Sequence, residues 1–385
     1  MPHRPLRRQL ARRRHVIKHI WERIKKPIDP WLLLFIVLLF IVSSFVLYSA
    51  SNRDLERVLD KVTFMGIALF IMWCIANIQP RILMQLALPA YAVGVILLIA
   101  VELFGVTSHG ATRWLNIGIT RIQPSELMRL ALPLMLAWYF HHFESTLNWR
   151  HFIVAALIMV VPVVLILKQP DLGTSLLIAS SGFYVLFFAG LSWRFIGLMS
   201  GAIAAFAYVV THWNMCINVL HEYQCRRIAT MLDPMEDPLG AGYHIIQGTI
   251  AIGSGGWFGK GWLAGTQTHL DFIPERTTDF IFAVYGEEFG LVGNCILLIL
   301  YLLVIFRGLM ISNSANTLFG RLLAGAIAMN FFTYALVNMG MVSGMLPVVG
   351  VPLPLISYGG TSMVSILATF GLLMSIQRDR SLMKG

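Results

Sequence analysis

The sequence predicts an all-α polytopic membrane protein with about ten transmembrane helices and one large extracytoplasmic loop. Hydrophobic residues make up 57% of its 385 residues and charged residues only 12%, whereas a soluble domain carries about 25% charged residues. Apolar runs of about 20 residues, the length that crosses a bilayer as a helix, recur along the chain. These runs must be helical because lipid offers backbone polar groups no other partner. They lack the alternation of a membrane β-barrel.

The apolar runs divide the chain into a basic tail and one membrane domain. We expect residues 1–30 to form a cytoplasmic tail and residues 31–385 a single ten-helix domain, with residues 216–279 as its large loop. The predicted spans are 31–50, 58–78, 83–105, 125–141, 151–168, 172–190, 193–215, 280–306, 319–342 and 355–376.

Charge predicts the orientation of these spans. Residues 1–30 contain ten Lys and Arg residues against two acids, so the positive-inside rule places them in the cytoplasm. An even number of spans returns the C-terminus, with Arg378, Arg380 and Lys384, to the same side. The first run is too long for a cleaved signal sequence. We therefore expect a multi-pass membrane protein with both termini in the cytoplasm and the large loop outside it.

The basic tail itself has two interpretations. Apolar side chains recur on one helical face, at Val16, Ile17, Ile20, Trp21 and Ile24, which predicts an amphipathic helix on an anionic leaflet. The alternative is a disordered basic segment. In either case the formal net charge of +10 indicates contact with the lipid bilayer, and we expect no nucleic acid partner.

The first polar constellation lies in the loop 106–124 and the helix that follows it. The loop contains Arg113 and Trp114, and a Pro-Ser-Glu sequence then opens the fourth span. Glu126 and Arg129 are three residues apart, a spacing at which helical side chains pair. An arginine so close to lipid favours a functional role. The alternatives are an ordinary acid at a helix start for Glu126 and an interfacial belt residue for Trp114.

Two further turns carry polar groups at the same predicted face. Lys168 and Asp171 flank the turn between the fifth and sixth spans. They form either a solvated turn or part of a site shared with the arginine of the loop 106–124. Residues 346–362 contain too many prolines and glycines for a regular helix, and irregular backbone at this depth is tolerated where it lines a polar cavity. Ser357 and Tyr358 offer hydroxyl groups there.

A glycine-rich run, AIGSGGWFGKGW, lies in the large loop. Ser254 occupies the first glycine position of a Walker A motif and Phe258 the last glycine position of GxGxxG, so we expect no nucleotide. The backbone could approach a phosphate or sugar closely, with Lys260 as a cation and Trp257 and Trp262 as flat apolar surfaces. The alternative is a tight re-entrant turn with interfacial aromatic residues.

Acidic residues gather where the eighth span begins. Asp279 follows Thr278 just before the apolar run, a pattern typical of a helix N-cap. The alternative is a carboxylate held at the water–lipid boundary beside Glu275, where a general base for a lipid-linked substrate would be needed. Glu287 and Glu288 lie further along the helix, and acids inside a span are functional candidates.

The four cysteines predict one disulfide bond or none. Cys216 and Cys225 lie in the loop that is expected in an oxidising compartment, with eight residues between them. Cys74 and Cys295 lie inside predicted spans, where a cysteine is an inert apolar residue. Bridged and reduced forms of the loop pair both remain open.

Four long motifs identify a family resemblance. The segments DPLGAGYHIIQ, AIGSGGWFGKGW, PERTTDFIFAVYGEE and GMLPVVGVPLPLISYGG resemble the signatures of the SEDS (shape, elongation, division, sporulation) family, more closely in its rod-shape branch than in its division branch. The resemblance covers the chain from about residue 30. It implies the ten-helix SEDS fold and a peptidoglycan glycosyltransferase that polymerises lipid II, an undecaprenyl-diphosphate-linked disaccharide pentapeptide, during cell elongation. It also implies a class B penicillin-binding protein as partner, with other elongation-complex membrane proteins.

The resemblance also implies roles for individual residues. Asp279 matches an essential aspartate and Trp114 an important tryptophan, while Arg129 stands where the family usually has lysine. We expect Asp279 to be the catalytic base in an inverting transfer. The expected substrate-binding residues are Arg113, Trp114, Glu126, Arg129, Lys260 and Ser357. Arginine, lysine or a divalent cation (Mg²⁺ or Mn²⁺) would neutralise the leaving diphosphate, and no ligands for a metal are assigned.

Two other functions compete with the enzyme. A lipid II flippase would use a polar cavity for passage, but its critical charges should lie near the bilayer midplane. Here the candidate charges concentrate at the extracytoplasmic face, which favours the enzyme. A non-catalytic scaffold would make Asp279 dispensable.

Overall fold

The computed structural model describes residues 27–108, 111–116, 121–212, 222–240, 242–270 and 272–383. Most of the basic tail lies outside these residues, so its amphipathic helix stays a prediction. The described residues are mostly helical, as predicted. They form the helices α1 Pro30–Ala50, α2 Leu55–Ala76, α3 Pro80–Phe104, α4 Pro124–His142, α5 Trp149–Lys168, α6 Leu172–Phe188, α7 Trp193–His212, α8 Glu222–Leu232, α9 Tyr243–Ser254, α10 Thr266–His269, α11 Ile281–Ser314, α12 Leu318–Val342 and α13 Gly360–Met383.

Local sequence explains several helix starts. Helices α1, α3 and α4 each begin with a proline, which has the backbone angle of a first helical residue and no N–H to leave unpaired. The side chain of Asp29 also caps α1 by accepting from the Leu32 N–H at 2.9 Å. Asp171 caps α6 in the same way, through the Thr174 N–H at 3.1 Å.

Seven of the described helices are long and apolar enough to cross a membrane: α1, α2, α3, α5, α11, α12 and α13. Helices α4, α6 and α7 lie at the three remaining predicted spans. Helix α6 is apolar but has only 17 residues. The existence of helices at all ten positions agrees with the sequence, while the count of ten spans stays a prediction.

Helix α11 is interrupted, a feature that the sequence did not predict. Its 34 residues would extend roughly 51 Å at 1.5 Å per residue, well beyond a hydrocarbon core of about 30 Å. Gly290 has φ 64° and ψ −162°, outside the helical region, and divides the helix. The predicted span 280–306 lies along this helix, which begins at Ile281 and continues to Ser314. The part that follows the break, residues 291–314, has the length of a span, and Glu287 and Glu288 precede it.

Helix α12 is the central element of the bundle. It packs against α4, α6, α11 and α13, and most of its residues are buried. Helices α2 and α13 pack against each other, as do α1 and α11. Arg307 of α11 and Asp29 form an ion pair at 2.5 Å. It joins α11 to the start of α1 at the end of the bundle away from the large loop.

A small antiparallel sheet follows α3. Strands β1 Val106–Ser108, β2 Ala111–Asn116 and β3 Arg121–Ile122 form it in the order β1-β2-β3. Trp114 pairs with Val106 across its first ladder. The sequence predicts only a loop here, and the sheet is what gives Arg113 and Trp114 fixed positions.

The loop 216–279 contains the short helices α8, α9 and α10. Cys225 of α8 is disulfide-bonded, whereas Cys74 and Cys295 are free thiols. Cys216 lies outside the described residues, so the pairing of these two loop cysteines stays a prediction. The loop reaches the bundle at the same end as residues 105–108, 111–116, 121–123, 169–171 and 343–359, and we call this end the loop end.

Candidate functional site

Asp279 lies at the loop end, in a turn just before α11. The N-cap residue of α11 is Phe280, which makes no side-chain capping bond. The capping interpretation of Asp279 was therefore wrong, because the turn continues one residue further than the sequence pattern indicated. The half-buried carboxylate accepts no hydrogen bond from any residue that the structure describes. It is thus available to a substrate.

The surroundings of Asp279 favour its neutral form. Burial, and next the negative charge of Glu275, raise the pKa of Asp279 to about 6 from its ordinary value of 3.8. The carboxylate of Glu275 itself accepts from the Thr278 hydroxyl at 2.8 Å. A carboxylate with this pKa is still ionised at neutral pH and is a stronger base than an exposed aspartate, which suits a general base.

The backbone around Asp279 is held by side chains of two other segments. The amide nitrogen of Asn338, on α12, donates to the carbonyl oxygens of Asp279 at 2.8 Å and Val351 at 2.7 Å. The hydroxyl of Ser357 donates to the Thr278 carbonyl at 2.6 Å. It also accepts from a backbone N–H of its own loop. Ser357, which we expected to bind substrate, thus has its hydroxyl engaged in positioning the turn that carries Asp279.

Gly350 borders the Asp279 carboxylate on one side. A Cβ atom added at position 350 would lie 3.5 Å from Asp279 Oδ2. The φ angle of Gly350 is 70°, a conformation that L-residues with side chains rarely adopt. The glycine therefore keeps this side of the carboxylate uncovered.

Arg129 and Glu126 form the predicted pair on α4, with 2.9 Å between Nη1 and Oε2. The guanidinium is buried, reaches Ser365 Oγ at 3.4 Å, and lies over the Tyr334 ring at 5.1 Å. These residues line a cavity of about 20 Å³, enough for one water molecule. Arg129 Nε and the Tyr334 hydroxyl are buried without a hydrogen-bond partner among the described residues, so donors remain for a ligand or water.

Helix α12 connects the base with this cation. Tyr334 lies under the Arg129 guanidinium and Asn338 holds the Asp279 backbone. The two α12 residues are four apart, which is about 6 Å along a helix and on one face. Asp279 and Arg129, predicted independently from the sequence, are therefore attached to adjacent turns of the same helix.

Arg113 meets the turn after α5. It donates to the Pro170 carbonyl at 3.1 Å and lies 3.5 Å from the Asp171 carboxylate. Of the two alternatives that the sequence left open for this turn, Asp171 follows the one in which it meets Arg113. Lys168 instead pairs with Glu102 in an exposed contact, and so belongs to the solvated turn. Trp114, the neighbour of Arg113 on β2, is half-buried.

Lys260 has a different partner from the one expected. Its ammonium lies 2.8 Å from the buried carboxylate of Glu287 and 2.7 Å from the Thr266 hydroxyl. The same carboxylate accepts from the backbone N–H groups of Gln267 and Thr268 and from the Thr268 hydroxyl. Glu287 thus organises the segment around α10, and the charge of Lys260 is neutralised within the protein.

The glycine-rich run packs against the break in α11. Backbone hydrogen bonds join residues 256–261 to residues 287–292 in both directions. A Cβ atom at Gly255 or Gly259 would come within 2.1 or 2.0 Å of carbonyl oxygens of α11. The glycines therefore permit contact between two stretches of backbone. This contact explains the glycines without a close approach of their backbone to a phosphate, which the sequence left open.

The aromatic residues of this run lie at the depth of the spans. Trp257 and Phe258 are 70% and 82% exposed beside the first residues after the α11 break. Trp262 donates from Nε1 to the Phe45 carbonyl at 3.1 Å and packs against the rings of Phe45 and Tyr48. Because Phe45 is more than a turn inside α1, the segment dips below the end of that helix, in agreement with a re-entrant turn.

Comparisons with known proteins identify the family. A family model described as "Cell cycle protein", which covers FtsW, RodA and SpoVE, matches residues 28–382. The chain belongs to the SEDS family. It is 48% identical over 366 residues to the peptidoglycan glycosyltransferase MrdB of Escherichia coli strain K12, covering 95% of this chain and 97% of that protein.

Solved SEDS structures have the same fold. A structure described as the structural coordination of polymerization and crosslinking by a peptidoglycan synthase complex matches with a TM-score of 0.77 and 34% identity, covering 91% of this chain and 98% of that one. RodA of Thermus thermophilus matches with a TM-score of 0.67 and 29% identity, covering 91% and 97%. The chain is thus a multi-pass membrane protein with the SEDS fold.

Two residues of this SEDS site were not found from the sequence. Asn338 lies in the apolar run of α12 and Lys61 in that of α2, and both are buried. The available signal was the presence of a polar side chain inside a span, which is a functional candidate by default. Asn338 supports the Asp279 backbone, and Lys61 contacts the loop that contains Ser357.

Proposed function

We propose that this chain is a peptidoglycan glycosyltransferase that polymerises lipid II into glycan strands during cell elongation, with Asp279 as the general base. The observation that carries the proposal is the half-buried Asp279 carboxylate, which no described residue engages. A second feature supports it: α12 joins this turn to the buried Arg129. The relatives named above support the activity.

The reaction follows from these groups. Asp279 accepts the proton of a sugar hydroxyl on the acceptor as that oxygen attacks the anomeric carbon of the donor. The new glycosidic bond forms as the bond to the diphosphate breaks, and the lipid diphosphate leaves with the electron pair. A single displacement of this kind inverts the anomeric configuration. The proton then passes from Asp279 to water.

The reaction also requires groups that stabilise the negative charge on the departing diphosphate. Only Nη1 of Arg129 is engaged by the described residues, while arginine carries five N–H donors. A buried guanidinium with unused donors can stabilise negative charge as it develops. Arg113 offers a second cation on the same end of the bundle, and the half-buried Trp114 beside it a flat apolar surface for the substrate. Lys260 is less suited because Glu287 already neutralises it.

A divalent cation is compatible with the residues present. Among the described residues no group of three or more His, Cys, Asp or Glu side chains is placed to hold a metal ion. Mg²⁺, however, is commonly bound by one or two carboxylates together with substrate phosphates. Asp279 and Glu275, whose charges interact, would hold Mg²⁺ or Mn²⁺, and the ion would supply charge neutralisation at the diphosphate.

Location and partners complete the proposal. The basic tail and the even number of spans predicted from the sequence favour the cytoplasmic membrane, with both termini in the cytoplasm and the loop end outside it. A likeness to a chain from a peptidoglycan synthase complex supports a class B penicillin-binding protein as the crosslinking partner. We expect other elongation-complex membrane proteins to associate with the same assembly.

Polymerisation by purified protein tests the function against its alternatives. The protein and its transpeptidase partner would be reconstituted in liposomes that contain lipid II, and glycan strands would be separated by gel electrophoresis. A parallel assay would follow movement of labelled lipid II between leaflets. We expect strands whose synthesis requires this chain. Transbilayer movement without strand synthesis would establish a flippase, and neither activity would favour a scaffold.

A further inference from the structure

Lys61 carries a buried amino group that the proposed reaction does not use. It lies on α2, with 1% of its surface exposed. Its ammonium donates to the Ser43 hydroxyl of α1 and to the backbone carbonyl of Ile356. The Ser43 hydroxyl itself donates to the same carbonyl at 3.0 Å. Among the described residues no carboxylate forms an ion pair with Lys61.

A buried ammonium without a counterion is costly for the fold. Removing a charge from water carries a large penalty that an ion pair or several hydrogen bonds must offset. Lys61 has three N–H donors but only two described acceptors, neither of them charged. An apolar side chain of similar length would stabilise this position better. The lysine therefore needs an explanation other than stability, as ionisable residues inside a membrane generally do.

The carbonyl that Lys61 binds belongs to a strained turn. Leu355, the residue before Ile356, has a φ angle of 64° and is buried. For a residue with a side chain this left-handed conformation is unfavourable and persists only where surrounding contacts impose it. Three contacts do so from outside the turn: Lys61 and Ser43 both donate to the Ile356 carbonyl, and the Tyr301 hydroxyl donates to the Pro354 carbonyl at 2.6 Å.

The strained turn leads directly to the base. Ser357 follows Ile356 and donates to the carbonyl of Thr278 at 2.6 Å. The next N–H, of Tyr358, donates to the Thr277 carbonyl at 2.8 Å. Any rotation of the turn would therefore move the segment that ends in Asp279.

We propose that Lys61 is a positioning residue for the glycosyl transfer. It holds residues 354–358 in their strained conformation, and this loop in turn fixes the backbone from which the Asp279 carboxylate projects. Lys61 does not touch substrate, and its contribution is to the placement of the base rather than to binding. The inference rests on the proposed function of Asp279.

The test separates placement from stability. Lys61→Met keeps the length of the side chain but removes its charge and donors, whereas Lys61→Gln keeps N–H donors. We expect Lys61→Met to lower kcat for lipid II polymerisation by roughly 10- to 100-fold, the scale of a small misplacement of a catalytic group. KM should stay within about threefold because substrate contacts are unchanged. The Tm of Lys61→Met should equal or exceed that of the parent, and Lys61→Gln should recover part of kcat.

Ser375→Ala is the matched control. Ser375, on α13, donates to the carbonyl of Ile78 just after α2, so the variant removes a part-buried side-chain-to-backbone bond near the other end of α2. It should lower Tm and leave kcat unchanged. Parental kcat in folded Lys61→Met would overturn the inference. So would a fall in kcat that only parallels a fall in Tm, as a purely structural residue would give.

Two further variants cover the remaining outcomes. If Lys61→Met fails to fold, Tyr301→Phe acts on the same turn and should lower kcat without raising KM; parental kinetics in that variant would overturn the inference. Asp279→Asn, measured beside these variants, should show no strand synthesis. Activity in Asp279→Asn alone would instead defeat the assignment of the base, so the two failures are distinguishable.

Discussion

The side-chain amide of Asn338 donates to the backbone carbonyl of Asp279 at 2.8 Å. The bond holds the residue through its main chain and leaves the carboxylate unengaged. The same amide donates to Val351, so one side chain of α12 ties the turn before α11 to the loop before α13. A base positioned in this way can be replaced by an isosteric side chain without disturbing its support.

Asp279→Asn should abolish lipid II polymerisation. Removal of a general base typically costs 10²- to 10⁴-fold in rate, and the backbone bonds from Asn338 and Ser357 do not depend on the carboxylate. The measurement is strand synthesis in liposomes with the transpeptidase partner. Copurification of the partner and an unchanged or raised Tm at pH 8 would show that the variant is folded. Strand synthesis at the parental rate would remove Asp279 from the mechanism.

The rate should depend on pH with an acid limb near pH 6. Asp279 accepts a proton only when ionised, and its pKa is about 6, so polymerisation should decline as the pH falls through that value. The folded-state pKa exceeds the ordinary 3.8, so ionisation destabilises the fold: the cost of the charge grows between about pH 4 and 6 and is constant above. Asp279→Asn should therefore gain stability relative to the parent over that interval.

Glu275→Gln tests the cause of this pKa. The negative charge of Glu275 raises the pKa of Asp279, so its removal should move the acid limb to lower pH, while burial still keeps the pKa above 3.8. Glu236, an exposed acid elsewhere in the large loop, provides the control as Glu236→Gln. A limb that stays in place in Glu275→Gln, or moves equally in both variants, would contradict the prediction.

The requirement for a cation is tested at Arg129. Arg129→Ala should raise the lipid II concentration needed for polymerisation more than Arg129→Lys, because lysine keeps the positive charge that alanine removes. Lysine cannot reproduce the planar contacts with Glu126 and Tyr334, so its recovery should be incomplete. Initial rates over a range of lipid II concentrations give the comparison. If lysine performs no better than alanine, pairing and packing outweigh diphosphate binding.

We expect Lys260 to stabilise the fold rather than to bind substrate. Lys260→Met leaves Glu287 buried without its cation, which destabilises a protein more than loss of both charges does. We expect faster proteolysis in the loop around α10 and partial recovery in the double variant Lys260→Met/Glu287→Gln. KM for lipid II should be unchanged in the folded fraction. A raised KM with normal protease resistance would restore Lys260 as a substrate contact.

The limits of sequence-based prediction follow from the range of the interactions. The pair Glu126–Arg129 was predictable because helical geometry fixes contacts three residues apart. The pair Lys260–Glu287 was not, because it joins residues 27 positions apart through a loop whose path local sequence does not determine. Gly290 lies within an apolar run, where hydropathy alone cannot distinguish a break from a continuous helix.

The site residues show the same division. Asp279 could be identified from its position at a span boundary. Whether its side chain caps α11 depends on the residue at which the turn ends, which the local sequence did not indicate. Lys61 acts through the carbonyl of Ile356, 295 residues away in sequence. The sequence of neither segment predicts this contact, because one partner is a main-chain oxygen that every residue possesses.

The contact between residues 256–261 and the α11 break has a consequence for biosynthesis. At 5–20 residues per second, the glycine-rich run leaves the ribosome about 2 to 6 s before residues 287–292. During that interval its backbone N–H and C=O groups lack the partners they have in the folded protein. The loop can dock only once the segment 291–314 has been inserted in the membrane. A chain that stalls at this step therefore presents an unanchored loop to proteases outside the membrane, where faulty copies can be removed.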